Sequence, residues 1–462
     1  MRFPQHNLNR NPNLPSERLR LGLRLGLRTE TKRGSILIIV LWVAFGLCSV
    51  ALYFAHSMSM EFQAADNEVA GVEAEQAIEG AAVYVSNLLV TLQYSNNMPP
   101  PTSFRADNVK VGNATFWLIG RDTNDLQSST QGDHPVWGLV DEASKVNLNN
   151  GTAAMFQNLP QMTVNLAAAM FDWQSTSTTQ STDGAKSSTY SGLNPPYLCK
   201  NAPYETVDEL SLVYGMNMDY LYGEDANLNG ILDPNENDGN VNPPNDNQNG
   251  ILDGGLLEFV TTWTKGEART TTNGATRIVI TNTTAVNGLI TSNSFTATPI
   301  PAGTTYTNVL QYYATSGMSQ SAFQQIEPYL MNPSTRGLIN VNTATGTALG
   351  CIPGIGLTMA QQVLTYRQSN PPQTPSIAWL KTALGGSTSL CAQAGNYVTA
   401  YSYQYTADVA AVGHFGRGYR RVRFVFDCRR GYPLIVYRQD LTHLGWALGK
   451  KLHDQLLAQN IK

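Results

Sequence analysis

Charged side chains are scarce in this chain, with Asp, Glu, Lys and Arg making up 14% of 462 residues. With abundant Thr, Ser, Asn and Gly, that scarcity suits a secreted or envelope protein. Histidine is rarer still: His6, His56, His134, His414, His443 and His453 are scattered. No His-Glu-x-x-His or Cys-x-x-Cys occurs, so those catalytic constellations are excluded and no enzyme activity is expected. The acid-rich stretches Asp141-Glu142 and Glu205 to Glu209 are read as solvated faces or helix caps. Cysteine is sparse too. Cys48 sits in an apolar run, while Cys199, Cys351, Cys391 and Cys428 form an even set. Four cysteines allow three pairings in a compartment that permits disulfides. Cys351–Cys391 is favoured because it would staple one helical module.

One long apolar run, Ile36 to Ala55, stands out against this background, with no acidic residue between it and Glu61. Twenty such residues rise about 30 Å as a helix, the thickness of a bilayer's hydrocarbon. The run follows Lys32, Arg33 and Gly34 directly. A secretory signal would carry its cleavage site after a shorter apolar core. Here the cleavage point, Gly34 before Ser35, precedes the run, so cutting leaves the membrane helix on the mature chain. This resembles the signal of type IV pilins and pseudopilins, cut by a prepilin peptidase. The alternative is an ordinary single-pass anchor that is never processed. Residues 1–34 hold eight Lys/Arg against two acids, which places the N-terminus in the cytoplasm and the bulk of the chain in the periplasm. Without the leader the formal net charge is −10, which argues against nucleic acid as a partner.

The expected fold class is α+β. Residues 1–34 are the leader and 35–58 the transmembrane part of a long helix. Residues 59–145 continue that helix to about Gln93 and add strands over Val109–Gly120 and Val136–Asn147. Residues 146–400 form an inserted helical domain with a Thr-rich insert over 266–335, in which Arg277 to Thr281 suggests a hairpin. Residues 401–462 supply C-terminal strands and a helix over Thr442–Gln459. The insert contains a repeat: Val146 to Pro160 and Ile339 to Pro353 both open with a hydrophobic-Asn-hydrophobic-Asn cap. After the second copy, Pro353, Gly354, Ile355 and Gly356 make a helix-hairpin-helix turn. Lys and Arg are absent from Gly337 to Tyr366, so a packing module is expected there rather than a phosphate grip.

Asp225, Asn227, Asn229, Gly230, Ile231, Asp233 and Glu236 fit the calcium pattern D-x-D/N-x-D/N-G-x5-E. Calcium takes six to eight hard oxygens. The side chains at the first, third, fifth, ninth and twelfth positions and the Ile231 carbonyl would supply them. Asn247, Asn249 and Asp253 repeat the pattern imperfectly. Leu256 occupies the twelfth position there, so an acid from elsewhere is needed, and Glu258 is the candidate. Both loops are read as structural.

With these residues in view, the chain resembles the K-type minor pseudopilins of type II secretion. The resemblance rests on Arg33-Gly34-Ser35 with Leu41-Trp42, Asp141 to Asn149, and Phe171-Asp172-Trp173. It extends to Asn194 to Tyr197, Asn201 to Leu210, Ile339 to Ala344 and Ile352 to Gly354. It implies a pilin-like fold with a helical domain inserted in its sheet, calcium, and disulfides. It also implies assembly with other pseudopilins at the cap or start of a periplasmic pseudopilus that supports protein export. Ile39, at the fifth mature position, replaces the Glu of major pilins and so suits a subunit with no neighbour ahead. A DNA-uptake or adhesion pseudopilin, binding a ligand through the helix-hairpin-helix face, is the other reading.

Overall fold

The structure is a computed structural model that describes residues 33–92, 98–121, 134–271, 274–333, 337–372 and 374–459. The leader expected over 1–34 lies outside the described residues as far as residue 32. The chain divides into two units, Met1–Ala64 and Ala65–Lys462.

In the first unit, α1 (Arg33–Leu92) begins, with Gly34 and Ser35 in its first turn. Every large apolar side chain from Ile36 to Phe54 is at least 50% exposed. A mean hydropathy of 2.6 makes this part of the helix long and apolar enough to cross a membrane. The run carries no charged residue, so the stretch fits a single-pass anchor.

Within the second unit, α1 becomes one-sided. Ala70, Ala74, Ala77, Ile78, Ala81, Val85 and Leu89 recur every three or four residues and are buried. Small side chains let the helix backbone come close to its neighbours. A Cβ on Gly413 would lie 2.2 Å from the Ala70 carbonyl oxygen, so only glycine fits there.

The strands of this unit are β1 (Val109–Val111), β2 (Ala114–Ile119), β3 (Val140–Asp141), β4 (Val146–Asn147), β5 (Val260–Thr261) and β6 (Ile278–Val279). Then come β7 (Leu330–Met331), β8 (Ile339–Asn340), β9 (Val398–Thr399), β10 (Gln404–Val412), β11 (Arg420–Asp427) and β12 (Leu434–Asp440). The main sheet runs β1-β2-β10-β11-β12, with β3 also on β10, and all its pairings are antiparallel. Side chains alternate across it. Phe116, Leu118, Val409, Phe424 and Phe426 face α1, while Trp117, Ile119 and Val412 pack on Ala447 and Leu448. The last helix (Lys450–Gln459) starts later than expected, after a 3₁₀ turn at Thr442–Leu444.

The segment Val109–Gly120 is a hairpin rather than one strand, because Gly112, at φ 60°, turns the chain. Val136–Asn147 is also not continuous. It leaves the sheet after β3, makes a 3₁₀ turn at Glu142–Ser144 and enters the helical part at β4. Around Arg277 a hairpin forms slightly earlier than expected, with Thr271 N donating to Ala275 O and Arg277 N to Arg269 O. Beyond it, β6 pairs in parallel with β7, and a helix (Thr283–Ser292) occupies part of the Thr-rich insert.

The repeat is physical. β4 pairs in parallel with β5, and β8 with β9. Asn147 Oδ1 accepts from Asn149 N at 2.8 Å, as Asn340 Oδ1 does from Asn342 N at 3.0 Å. Thr152 and Thr345 then cap the following helices through Met155 N and Ala348 N.

Asp141 and Glu142 are buried, not solvated, and join both copies to the sheet. Asp141 caps Ala143 N and accepts hydroxyls from Thr343 of the second copy and from Ser402, which follows β9. Burial pushes its carboxyl up to about 6, against the pull of those hydroxyls. Glu142 accepts from Thr261 beside the first copy and from Thr406 on β10.

Candidate functional site

The first Asn/Asp-rich loop is buried beside the sheet. Asp225, Asn227, Asn229, Ile231 and Glu236 are all under 9% exposed. Two arginines hold it there. Arg421 on β11 grips Asp408 on β10 through Nε–Oδ1 and Nη2–Oδ2, each 2.8 Å. The same guanidinium donates to the carbonyls of Asn227 and Leu228. Arg121 donates to Leu228 O and to Glu258 Oε2, each at 2.7 Å. Burial opposes both guanidinium charges, but Asp408 beside Arg421 and Glu258 beside Arg121 outweigh it and raise both pKa values. Burial likewise opposes the Asp408 carboxylate, yet Arg421 and Arg423 hold its pKa well below the usual range.

Inside the loop, Asp225 Oδ1 and Oδ2 accept from Asn229 N and Gly230 N at 2.9 and 2.8 Å. Asn229 Oδ1 accepts from Ile231 N at 2.8 Å. Glu236 folds back so that Oε1 accepts from Asn227 N and Oε2 from Asp233 N. Burial raises the Asp225, Asp233 and Glu236 pKa values, and repulsion from Asp225 helps push Glu236 to about 8. Asn227 Oδ1 is buried without a hydrogen-bond partner. Costly carboxylates around an orphaned amide oxygen are what a hard cation would relieve. Among the described residues, no three His, Cys, Asp or Glu side chains converge as a metal centre. Two of this loop's oxygens come instead from amides, and Asn227 and Asn229 both turn their Nδ2 donors onto Asp233 Oδ2.

In the second loop Asn247 Nδ2 donates to Asp253 Oδ2 at 2.8 Å, Asn249 N to Asn247 Oδ1, and Ile251 N to Asn249 Oδ1. Glu258 does not reach it, because its carboxylate is spent on Arg121. The acid that does is Glu224. Its Oε1 accepts from Asn247 N and its Oε2 from Asp253 N, each at 3.0 Å. This repeats what Glu236 does to Asn227 and Asp233. The sequence signal for Glu224 was weak, since it lies before the first loop and more than twenty residues from its partners.

All five cysteines are free. The favoured Cys351–Cys391 bridge is not formed. Cys199, Cys351 and Cys391 are packed singly in the helical core, and Cys428 belongs to the sheet's core. Burial pushes the Cys351 and Cys428 thiols up to about 12.

The helix-hairpin-helix turn faces protein. Gly354, at φ 87°, sits so close to the helix Thr388–Ala394 that a Cβ would meet Leu390 O at 2.8 Å. Arg367, the next base along, is buried and donates to Val341 O and Ala344 O.

The later part of α1 thus packs on an antiparallel sheet, and a helical part is carried between β3 and β10. Residues 138–221 match the family described as "Type II secretion system (T2SS), protein K". The resemblance to the K-type minor pseudopilins therefore stands, carried by that segment. No curated protein matches the chain. Among solved structures it is similar to a chain of the GspK-GspI-GspJ complex from the enterotoxigenic Escherichia coli type 2 secretion system. Identity is 10% and the TM-score 0.38, over 79% of this chain and 96% of that one. A likeness that loose carries no argument of its own.

Proposed function

We propose that this chain is a minor pseudopilin that caps or initiates a periplasmic pseudopilus and so supports protein export across the outer membrane. The observation that carries the reading is the double character of α1. Its first part is apolar on every side, and its later part is buried on one face only. On the outer face of that later part, Val69, Val83 and Val90 lie fourteen and seven residues apart, with Val72 one turn on from Val69, all at least 44% exposed. Such a seam suits packing against another helix. Its partners are other minor and major pseudopilins, packed along that seam. The prepilin peptidase cuts between Gly34 and Ser35, leaving a single-pass inner-membrane protein with a cytoplasmic N-terminus. Ile39 supports the tip position, because an unpaired carboxylate there would be expensive in lipid.

Calcium is part of the proposal. Asp225, Asn227, Asn229, the Ile231 carbonyl, Asp233 and Glu236 would hold one ion. Asn247, Asn249, Asp253 and Glu224 would help to hold a second. A bound cation would neutralise the buried acids and fix the first loop against the sheet.

The mature N-terminal residue tests the processing step, with Ser35 expected and Met1 fatal to it. A clean deletion tests the role: loss of export is expected, and normal export with normal pseudopilus assembly would sink it. The DNA-uptake reading is less favoured, since both the turn at Gly354 and Arg367 are occupied by the protein itself.

A further inference from the structure

A cleft of about 1090 Å³ opens on the face of the sheet turned away from the α1 core, beside the β1–β2 hairpin. It is as large as sites that take small ligands, which run to roughly 1000 Å³. Its floor is Trp117 and Thr115 of β2 with Val412 of β10, and its walls are the β1–β2 hairpin, the β10–β11 turn and the last helix. Nothing in the proposed assembly or the calcium loops uses it.

Two features stand out. At one rim the rings of His134 and Trp137 stack at 5.6 Å and 12°, with His134 exposed and Trp137 half-buried. At the other, Phe415 is 62% exposed and held at φ 54°. A bulky residue in the left-handed region is strained, and strain of that kind gathers at functional positions. Here it presents an aromatic face to the cleft instead of burying it. Between the rims lie Asn108, Asn113, Thr115 and Gln455, side chains that donate and accept without fixed charge. The formal charges in the lining cancel, with Glu73 and Asp107 against Lys110 and Lys451. That balance disfavours a phosphate or nucleic-acid ligand, which needs a basic excess. Flat aromatic faces set around amides and hydroxyls suit a ligand with apolar ring faces and a hydroxyl-rich edge.

We propose that this cleft binds a neutral oligosaccharide, sugar rings lying on Trp137 and Phe415 and hydroxyls or N-acetyl groups meeting the Asn and Gln amides. The test titrates the full-length protein in detergent with triacetylchitotriose, following tryptophan fluorescence. Saturable binding is expected. Phe415→Gly removes the ring at a backbone position that glycine prefers, so it should fold at least as well. It should also weaken binding about tenfold. Gln455→Ala, on an exposed helical position, should give a smaller loss. The proposal is overturned by no saturation up to about 10 mM sugar. It is overturned equally by an isotherm that Phe415→Gly leaves unchanged. An uncharged extended peptide serves as the competing probe, and tighter peptide binding that Phe415→Gly abolishes would make the cleft a peptide groove instead.

Discussion

His414 Nδ1 lies 2.6 Å from Glu73 Oε2, joining the turn after β10 to α1. The same carboxylate oxygen accepts from the His414 backbone N–H at 2.9 Å. On the ring's other side Nε2 is 3.0 Å from Asp66 Oδ1, and Arg417 also reaches Asp66. Hydrogen bonding to Glu73 raises the His414 pKa above its ordinary 6.5. The backbone and ring N–H groups of His414 lower the Glu73 pKa below 4.5.

Those directions fix a pH window. A raised histidine contributes stability that is fully present below pH 6.5 and lost as pH rises through its folded value. A lowered carboxylate contributes above pH 4.5 and loses its share as pH falls through its folded value. The pair is therefore worth most between about pH 4.5 and 6.5. The groups are partly exposed, so the contribution is about 0.2–1 kcal/mol. The difference in Tm between the parent and His414→Ala should be largest between about pH 4.5 and 6.5 and shrink as the pH rises further. A difference independent of pH would remove the ion pair from the account.

How far the sequence led differs from element to element. The span Ile36 to Ala55 and the C-terminal strands were readable because period and composition alone decide them. That the residues of the first loop gather in one place was readable because they lie within one twelve-residue stretch. Glu224 was not, since its partner loop begins far along the chain and only folding brings them together. The burial of Asp141 and Glu142 was missed for a related reason. Their partners Thr261, Thr343, Ser402 and Thr406 come from three distant segments, and a local acidic pair reads the same whether solvated or buried. The hairpin at Gly112 could have been found from Gly112-Asn113, a two-residue turn signal inside an apolar run.

The Arg421–Asp408 grip should be among the costliest contacts to break. Both side chains are at most 2% exposed, and Arg421 also holds two carbonyls of the first loop. Arg421→Met leaves Asp408 with only Arg423 and should cost about 3–5 kcal/mol. Arg423→Met removes a more exposed partner and should cost about 1 kcal/mol or less. Chemical denaturation of the two variants checks the ranking, and equal losses would refute it.

Calcium binding should separate Glu224 from Glu258. Equilibrium dialysis of the parent should find two ions, and Glu224→Gln should retain one. Glu258→Gln should keep both, because that carboxylate serves Arg121 rather than either loop. Chelation should lower Tm, since an ion at a hundred times its Kd adds about 2.7 kcal/mol. If Glu258→Gln loses an ion while Glu224→Gln keeps two, the assignment of the second loop is reversed.

The outer face of α1 should matter to assembly and not to folding. Val83 is 63% exposed, between the buried Ala82 and the half-buried Tyr84, so its side chain makes little use of this chain's own core. Val83→Asp should shift stability by no more than about 0.5 kcal/mol, as exposed substitutions do. In a helix–helix seam the same carboxylate would be desolvated against an apolar partner, a cost of several kcal/mol in place of a gain. Cross-linking to neighbouring pseudopilins in the intact membrane should therefore fall sharply with Tm unchanged. Glu75→Gln, a change at another exposed position off the valine seam, should leave cross-linking intact. If both variants assemble like the parent, the valine seam is bare surface and the helix packs through another face.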